Sequence, residues 1–258
     1  ASGAKQKYHF TVTTKLNFII LWYNFPKLNF GRIMRGLFVT GTGTDIGKTY
    51  VSAAIARELT SKNLNLAYYK AAVSGASSIE SSDAGFVKHS ANLKQETSSL
   101  LSYLYEKPLS PHLAARGEGR FACLNKIKED FNKLKESYDY VLSEGAGGII
   151  CPVVYEDNIK LMYTDILKAL NLPCVVVADA GLGTINHTVL TLSYLRQLNF
   201  KIKGVILNRF DSNNPMHQDN LRMVEDLSKT KVIAVLLNNQ TKLQLLDNHQ
   251  MEEYFDEC

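Results

Sequence analysis

From Gly36 onward, short apolar runs alternate with longer segments in which apolar residues recur at helical spacing. The runs at 37–40, 64–70, 140–143, 174–178, 202–207 and 232–236 are rich in β-branched and aromatic residues and predict strands. Between them, periodic patterns predict helices over 49–61, 82–90, 124–135, 159–170, 185–198 and 218–228, with a further helix over 243–255. The strand runs are apolar throughout, not alternating, so both sheet faces are expected to be covered. Strands separated by helices imply an α/β fold with a doubly wound, mostly parallel sheet. No internal repeat, low-complexity tract or long linker interrupts residues 34–258, which read as one domain. Ligands of such sheets bind beyond the carboxyl ends of the strands, so the chemistry is sought there.

The first run breaks into Gly41-Thr42-Gly43-Thr44-Asp45-Ile46-Gly47-Lys48-Thr49, and a helix former beginning with Tyr50 follows at once. Strand, glycine loop, Gly-Lys-Thr and helix is the arrangement of a phosphate loop, and it makes the fold P-loop NTPase-like. Amides of the loop and of the helix N-terminus present partial positive charge to phosphates. Lys48 reaches the outer phosphates and the Thr49 hydroxyl ligates Mg²⁺. The nucleotide-binding stretch is therefore Gly43, Thr44, Asp45, Ile46, Gly47, Lys48, Thr49 and Tyr50. Its spacing departs from G-x-x-x-x-G-K-[ST], because Thr stands at 42 and the first glycine is Gly41.

Other strand tips carry polar residues. Lys70 ends the second run, poised over the ligand crevice or exposed on its rim. The run 140–143 ends in Glu144 and opens into Gly145-Ala146-Gly147-Gly148. A carboxylate there has the position of a second Mg²⁺-holding element, and Gly147 with its neighbours permits close backbone approach to a bound group. The run 174–178 leads through Asp179 into Gly181-Leu182-Gly183-Thr184-Ile185-Asn186, a second glycine turn into a helix start and hence a second anion site. Two anion sites suggest a nucleotide plus an anionic co-substrate. Asn208 follows the fifth run, where its amide can read a base edge or cap the strand. Asp83, within Ser81-Ser82-Asp83, suits a helix cap.

Composition alters this picture little, but charge distribution does. The chain carries 29 Lys and Arg against 25 Asp and Glu, net +4. Residues 1–33 hold five basic residues and no acidic one, leaving 24 basic and 25 acidic residues in the body. That near-neutral body argues against a nucleic-acid partner. The apolar stretch 18–23 is too short to span a membrane, which takes roughly 20 residues, and no cleavage-site pattern follows it. Residues 1–33 are expected to be an extension from a tag or upstream sequence, with the natural chain starting at Met34. Four cysteines without C-x-x-C spacing argue against a zinc site or a disulfide framework and point to reduced thiols in the cytoplasm. Cys151 and Cys174 read as core fillers.

The loop 41–49, with its unusual glycine offset, resembles that of the dethiobiotin synthetase family. Further matches in family order are Lys70 with Ser74-Gly75, Ser82-Asp83-Ala84, Pro108, Ser110-Pro111-His112, Glu144-Gly145-Ala146-Gly147-Gly148, Gly183-Thr184-Ile185-Asn186-His187 and Asn208. The resemblance covers about residues 36 to 210, whereas the C-terminal part lacks the family's proline loop, since Asn238-Asn239 follows Leu237. It implies ATP-dependent ring closure of 7,8-diaminopelargonic acid with CO₂ to dethiobiotin, through a phosphorylated carbamate, in biotin synthesis. The implied catalytic residues are Lys48, Lys70, Thr44 and Ser74. The implied Mg²⁺ ligands are Thr49, Asp83 and Glu144, and the nucleotide set extends to Glu144, Gly147 and Asn208. Ser74, Gly183, Thr184, Ile185 and Asn186 would bind the substrate, the last four across a homodimer. Two rivals remain on sequence grounds. One is an amidoligase related to cobyrinic acid a,c-diamide synthase, which usually carries a glutaminase domain this chain has no room for. The other is a switch ATPase of the Lys-Gly-Gly-x-Gly-Lys-Thr type, whose early lysine is absent here.

Overall fold

The computed structural model describes residues 33–258; the expectation for residues 1–33 falls, Ile33 aside, outside them. In chain order the elements are β1 Arg35–Gly41, α1 Lys48–Ser61, β2 Leu66–Ser74, α2 Asp83–Ser90, β3 Leu101–Tyr105, α3 Pro111–Glu118, α4 Leu124–Leu134 and β4 Tyr140–Glu144. There follow β5 Pro152–Tyr155, β6 Lys160–Met162, α5 Tyr163–Leu170, β7 Cys174–Asp179, α6 Thr184–Gln197, β8 Ile202–Phe210, α7 Pro215–Ser228, β9 Val232–Leu237, β10 Leu243–Leu245 and β11 Asp256–Glu257. The main sheet runs β10-β9-β8-β7-β1-β4-β2-β3. Its pairings are parallel except that β10 is antiparallel to β9, and β11 is antiparallel to the start of β1.

Alternation along β1 builds the two faces. Leu37 and Val39 pack with Val51, Ile55 and Leu59 of α1, whereas Phe38 packs with Ile127 and Phe131 of α4 and Ile166 of α5. Two buried layers result, one on each side of the sheet, as expected of a doubly wound fold. β1 is central and flanked by β4 and β7, so the tips of β1, β4 and β7, with β2 and β8 beside them, crowd one edge. Among the described residues, no helix is long and apolar enough to cross a membrane.

Several expectations are corrected. The helix over 243–255 does not form: Leu243–Leu245 pairs with β9, and only a 3-10 turn, Met251–Tyr254, is helical there. Asp247 and Asn248 break the apolar period between them. The helix over 159–170 begins at Tyr163, because Lys160–Met162 pairs with β5 in a hairpin. The strand 64–70 extends to Ser74, which puts Lys70 in mid-strand and not at its end. The extension exists because β3, unanticipated from the sequence, pairs with it through Ser74 opposite Tyr105. α3, started by Pro111 and stopped by Gly119 at φ +62°, was also unanticipated.

Candidate active site

The loop after β1 is held in shape by its own backbone and by β8. Gly47 caps α1 at φ +88°, and a Cβ there would lie 2.0 Å from Asn208 Nδ2, so only glycine fits. No side chain caps α1, which leaves its first amides for an anion. Lys48 Nζ reaches back to donate to the Gly43 carbonyl at 2.7 Å. Asn208 Nδ2 donates to the Ile46 carbonyl at 2.9 Å, so part of the amide considered for base reading supports the loop instead.

Beside the loop lies a cavity of about 850 Å³. Thr44, Asp45, Gly47, Lys48, Thr49 and Tyr50 line one wall; Lys70, Ser74, Asp83, Glu144 and Gly147 line the others. The β2–β4 register sets Lys70 directly opposite Glu144. Lys70 Nζ sits 2.7 Å from Glu144 Oε1 and 2.6 Å from Asp83 Oδ2. The same Glu144 oxygen accepts from Thr49 Oγ1 at 2.8 Å. Its other oxygen accepts from the buried Tyr68 hydroxyl at 3.0 Å. Ser82, not Asp83, caps α2, its hydroxyl accepting from the Ala84 and Gly85 amides; this frees the Asp83 carboxylate at the first helical position to face the cavity.

Charge follows from these contacts. Burial pulls the Lys70 ammonium down, but Glu144 and Asp83 outweigh it, so its pKa stands above the ordinary 10.5. Burial pushes the Asp83 carboxyl up, and Lys70 outweighs that, leaving it below 3.8. Burial pulls Lys48 below 10.5 against the opposing pull of Glu144. Burial, then Glu144, pushes the Tyr68 phenol well above 10.0, so it stays a donor. Cys151, at the cavity's edge, is pushed by burial up to about 11 and is no nucleophile at neutral pH.

Two hydroxyls and two turns complete the surroundings. Ser74 Oγ donates to the Leu109 carbonyl at 2.6 Å, and Gly75, at φ +86°, faces Pro108, which together pin segment 108–111 along the cavity. Thr44 stays exposed at the rim. Gly183, at φ +87°, caps α6; Gly183, Thr184, Ile185 and Asn186 are not among the residues lining this cavity. Asn220 Nδ2 braces their turn through the Ala180 and Gly181 carbonyls. Sequence reasoning missed Tyr68, Phe86 and Leu109. The exposed Tyr50–Phe86 stack, 6.0 Å between centroids, joins the first turns of α1 and α2 at the cavity.

Thr49, Asp83 and Glu144 form an all-oxygen set of one hydroxyl and two carboxylates. No group of three or more His, Cys, Asp or Glu residues placed to hold a metal ion occurs among the described residues. A sparse oxygen set suits a hard divalent ion that keeps several waters.

The family model described as an AAA domain matches residues 35–243. The ATP-dependent dethiobiotin synthetase BioD of Brachyspira hyodysenteriae is 46% identical over 222 residues, covering 86% of this chain and 99% of the relative. The protein of the same name from Clostridium botulinum strain Loch Maree is 47% identical over 196 residues, 74% of this chain and 86% of its own. Among solved structures, the MinC:MinD cell division protein complex of Aquifex aeolicus aligns with TM-score 0.51 at 15% identity, over 79% of this chain and 81% of that one. That likeness carries the fold alone. Both relatives match over most of their length, and the chain belongs to the ATP-dependent dethiobiotin synthetase family.

Proposed function

We propose that the chain closes the ureido ring of dethiobiotin from 7,8-diaminopelargonic acid, CO₂ and ATP. One observation carries the reading: Lys70 Nζ, Thr49 Oγ1 and the Asp83 and Glu144 carboxylates meet within hydrogen-bond distance beside the Gly-Lys-Thr turn. In this reaction one amine takes up CO₂ as a carbamate, the carbamate oxygen attacks the γ-phosphorus and ADP leaves. The second amine then attacks the carbamoyl carbon, loses a proton and expels phosphate. Every species is anionic near the transferring group, so the protein's task is positioning and charge neutralisation.

Lys48 supplies positive charge to the outer phosphates from inside the loop, and the first amides of α1 donate to them. Lys70, kept protonated by its two carboxylates, neutralises the carbamate and the phosphoryl oxygens; it does not act as a base. Thr49, Asp83 and Glu144 would hold Mg²⁺, which would offset the negative charge of the outer phosphates. Thr44 and Ser74 offer hydroxyls to the carbamate or phosphates. The nucleotide lies along Gly43–Tyr50, with Glu144 and Gly147 opposite and Asn208 behind the loop. The Gly183–Asn186 amides bind the distant carboxylate of a substrate held by the other subunit of a homodimer. The reaction takes place in the cytoplasm, with neither nucleic acid nor membrane as a partner.

Purified protein given 7,8-diaminopelargonate, bicarbonate, Mg²⁺ and ATP is expected to release dethiobiotin and ADP in equal amounts, read by mass spectrometry. ADP release without dethiobiotin overturns the substrate assignment.

A further inference from the structure

The tip of β8 grips two separate turns. β8 pairs with β7 up to Asn208 opposite Asp179, and its register against β9 shifts between Asn208 and Phe210. Arg209 is thus the extra residue of a bulge, and its φ is +54°. A long side chain rarely adopts that left-handed backbone, and a bulge serves to re-aim the side chain it carries. Here it aims the guanidinium along the strand tips. One terminal nitrogen donates to the Asp45 carbonyl in the phosphate loop, and the other to Asp179 Oδ2. Asp45 is itself left-handed, at φ +59°, which fixes where its carbonyl points. The second Asp179 oxygen accepts the Gly181 amide at 2.8 Å, at the turn that opens α6. Next to Arg209, Asn208 holds the Ile46 carbonyl. Consecutive side chains of β8 therefore hold consecutive carbonyls of the phosphate loop, and one of those grips continues to the second turn.

The geometry points to Arg209 as a positioning residue that couples the phosphate loop to the 179–183 turn, so that a nucleoside diphosphate or triphosphate in the loop also sets the shape of the turn that opens α6. Only a forked cation makes both contacts at once, because an ammonium lacks two donors held that far apart in one plane. Strain at a bulge persists where surrounding contacts over-determine it, and both contacts lie at the edge where the ligand site is built. The inference rests on the nucleotide part of the proposed function and not on the identity of the organic substrate.

ADP is the probe. In the wild-type protein, ADP is expected to move the backbone amide resonances of Gly181 and Gly183 as well as those of the phosphate loop. In Arg209→Ala the ADP dissociation constant, from calorimetric titration, is expected to rise about three- to tenfold, the loss of one charge-assisted contact half open to water. At saturating ADP, the Gly181 and Gly183 shifts are expected to vanish while the phosphate-loop shifts remain. Arg209→Lys, which keeps charge and bulk, is expected to lose the same shifts. Asp179→Asn keeps an acceptor for Gly181 and is expected to weaken them. Equal Gly181 and Gly183 responses in the wild type and Arg209→Ala overturn the coupling, as does a wild type whose turn ignores bound ADP. A wild type that binds no ADP removes the nucleotide reading itself, which is a separate result.

Discussion

The Lys70 ammonium is 3% exposed and touches two carboxylates, and the balance between burial and pairing fixes its charge. Were burial to win, the amine would be neutral and a candidate base. Pairing wins, so the group is a fixed positive charge facing the cavity. Its removal leaves Glu144, fully buried, with only hydroxyl partners beside Asp83. Breaking a buried pair from one side costs about 3–5 kcal/mol, and losing a preorganised charge costs about 10²–10³ in rate. Lys70→Met is thus expected to lower kcat by that factor, with the melting temperature reduced but cooperative unfolding retained. The pH dependence of melting separates the partners. Asp83 is depressed when folded, so its contribution is present above 3.8 and fades as pH falls below that. Lys70 is raised, so its contribution is present below 10.5 and fades as pH rises beyond that. Between these limits the cluster adds no slope; Lys70→Met is expected to flatten the acid side, modestly because Asp83 is half exposed. A new inflection near neutral pH in the rate of the wild type, absent in Lys70→Met, contradicts a permanently charged Lys70.

At the scale of elements, the site depends on where strands stop and how loops cross them. The β1–α1 loop passes so near the tip of β8 that Gly47 and Asn208 share one space. Gly47→Ala asks for a left-handed alanine, about 1–2 kcal/mol, and for the displacement of Asn208. It is expected to weaken ADP binding by at least about tenfold, read by calorimetry. Asn208→Ala removes the obstruction, so the double variant is expected to bind ADP better than Gly47→Ala alone; equal affinity means the backbone angle, not the contact, sets the loop. The loop itself was legible because glycine spacing, Gly-Lys-Thr and a helix former occur together over 41–61. Lys70 and Glu144 were legible as polar residues closing apolar runs, although Lys70 proved to lie in mid-strand. Tyr68 was not: a phenol inside an apolar run reads as core, and only the register of β2 against β4 reveals the carboxylate it meets. Segment 243–255 carries apolar residues near helical spacing on either side of Asp247 and Asn248, but that pair breaks the period and an antiparallel partner on β9 takes the first part. Intrinsic propensity yields there to a tertiary pairing that sequence order does not announce.

Across the whole molecule, the two glycine turns that open α1 and α6 lie at the tips of neighbouring strands yet do not share a cavity. The phosphate loop lines the space beside α2, while the turn before α6 stays outside it with Leu182 92% exposed. Leu182 in that turn and Leu190 on α6, the latter 61% exposed, present apolar surface to a partner. In the homodimer proposed above, isologous pairing would let each subunit offer its α6 turn to the other's cavity and would cover these side chains. Subunit complementation tests this directly. Lys48→Ala disables a phosphate loop and leaves the residues of the α6 turn unchanged. Gly183→Val, at φ +87°, disables the turn and leaves the loop intact. Each variant alone is expected to be nearly inactive. Mixed in equal amounts and allowed to exchange, half the dimers combine one of each, and one of their two composite sites has both parts unmutated. The mixture then gives up to about a quarter of wild-type specific activity, less to the extent that the α6 turn depends on nucleotide in its own subunit's loop. If loop and turn serve the same site within a single chain, every mixed dimer holds only broken sites and the mixture stays inactive.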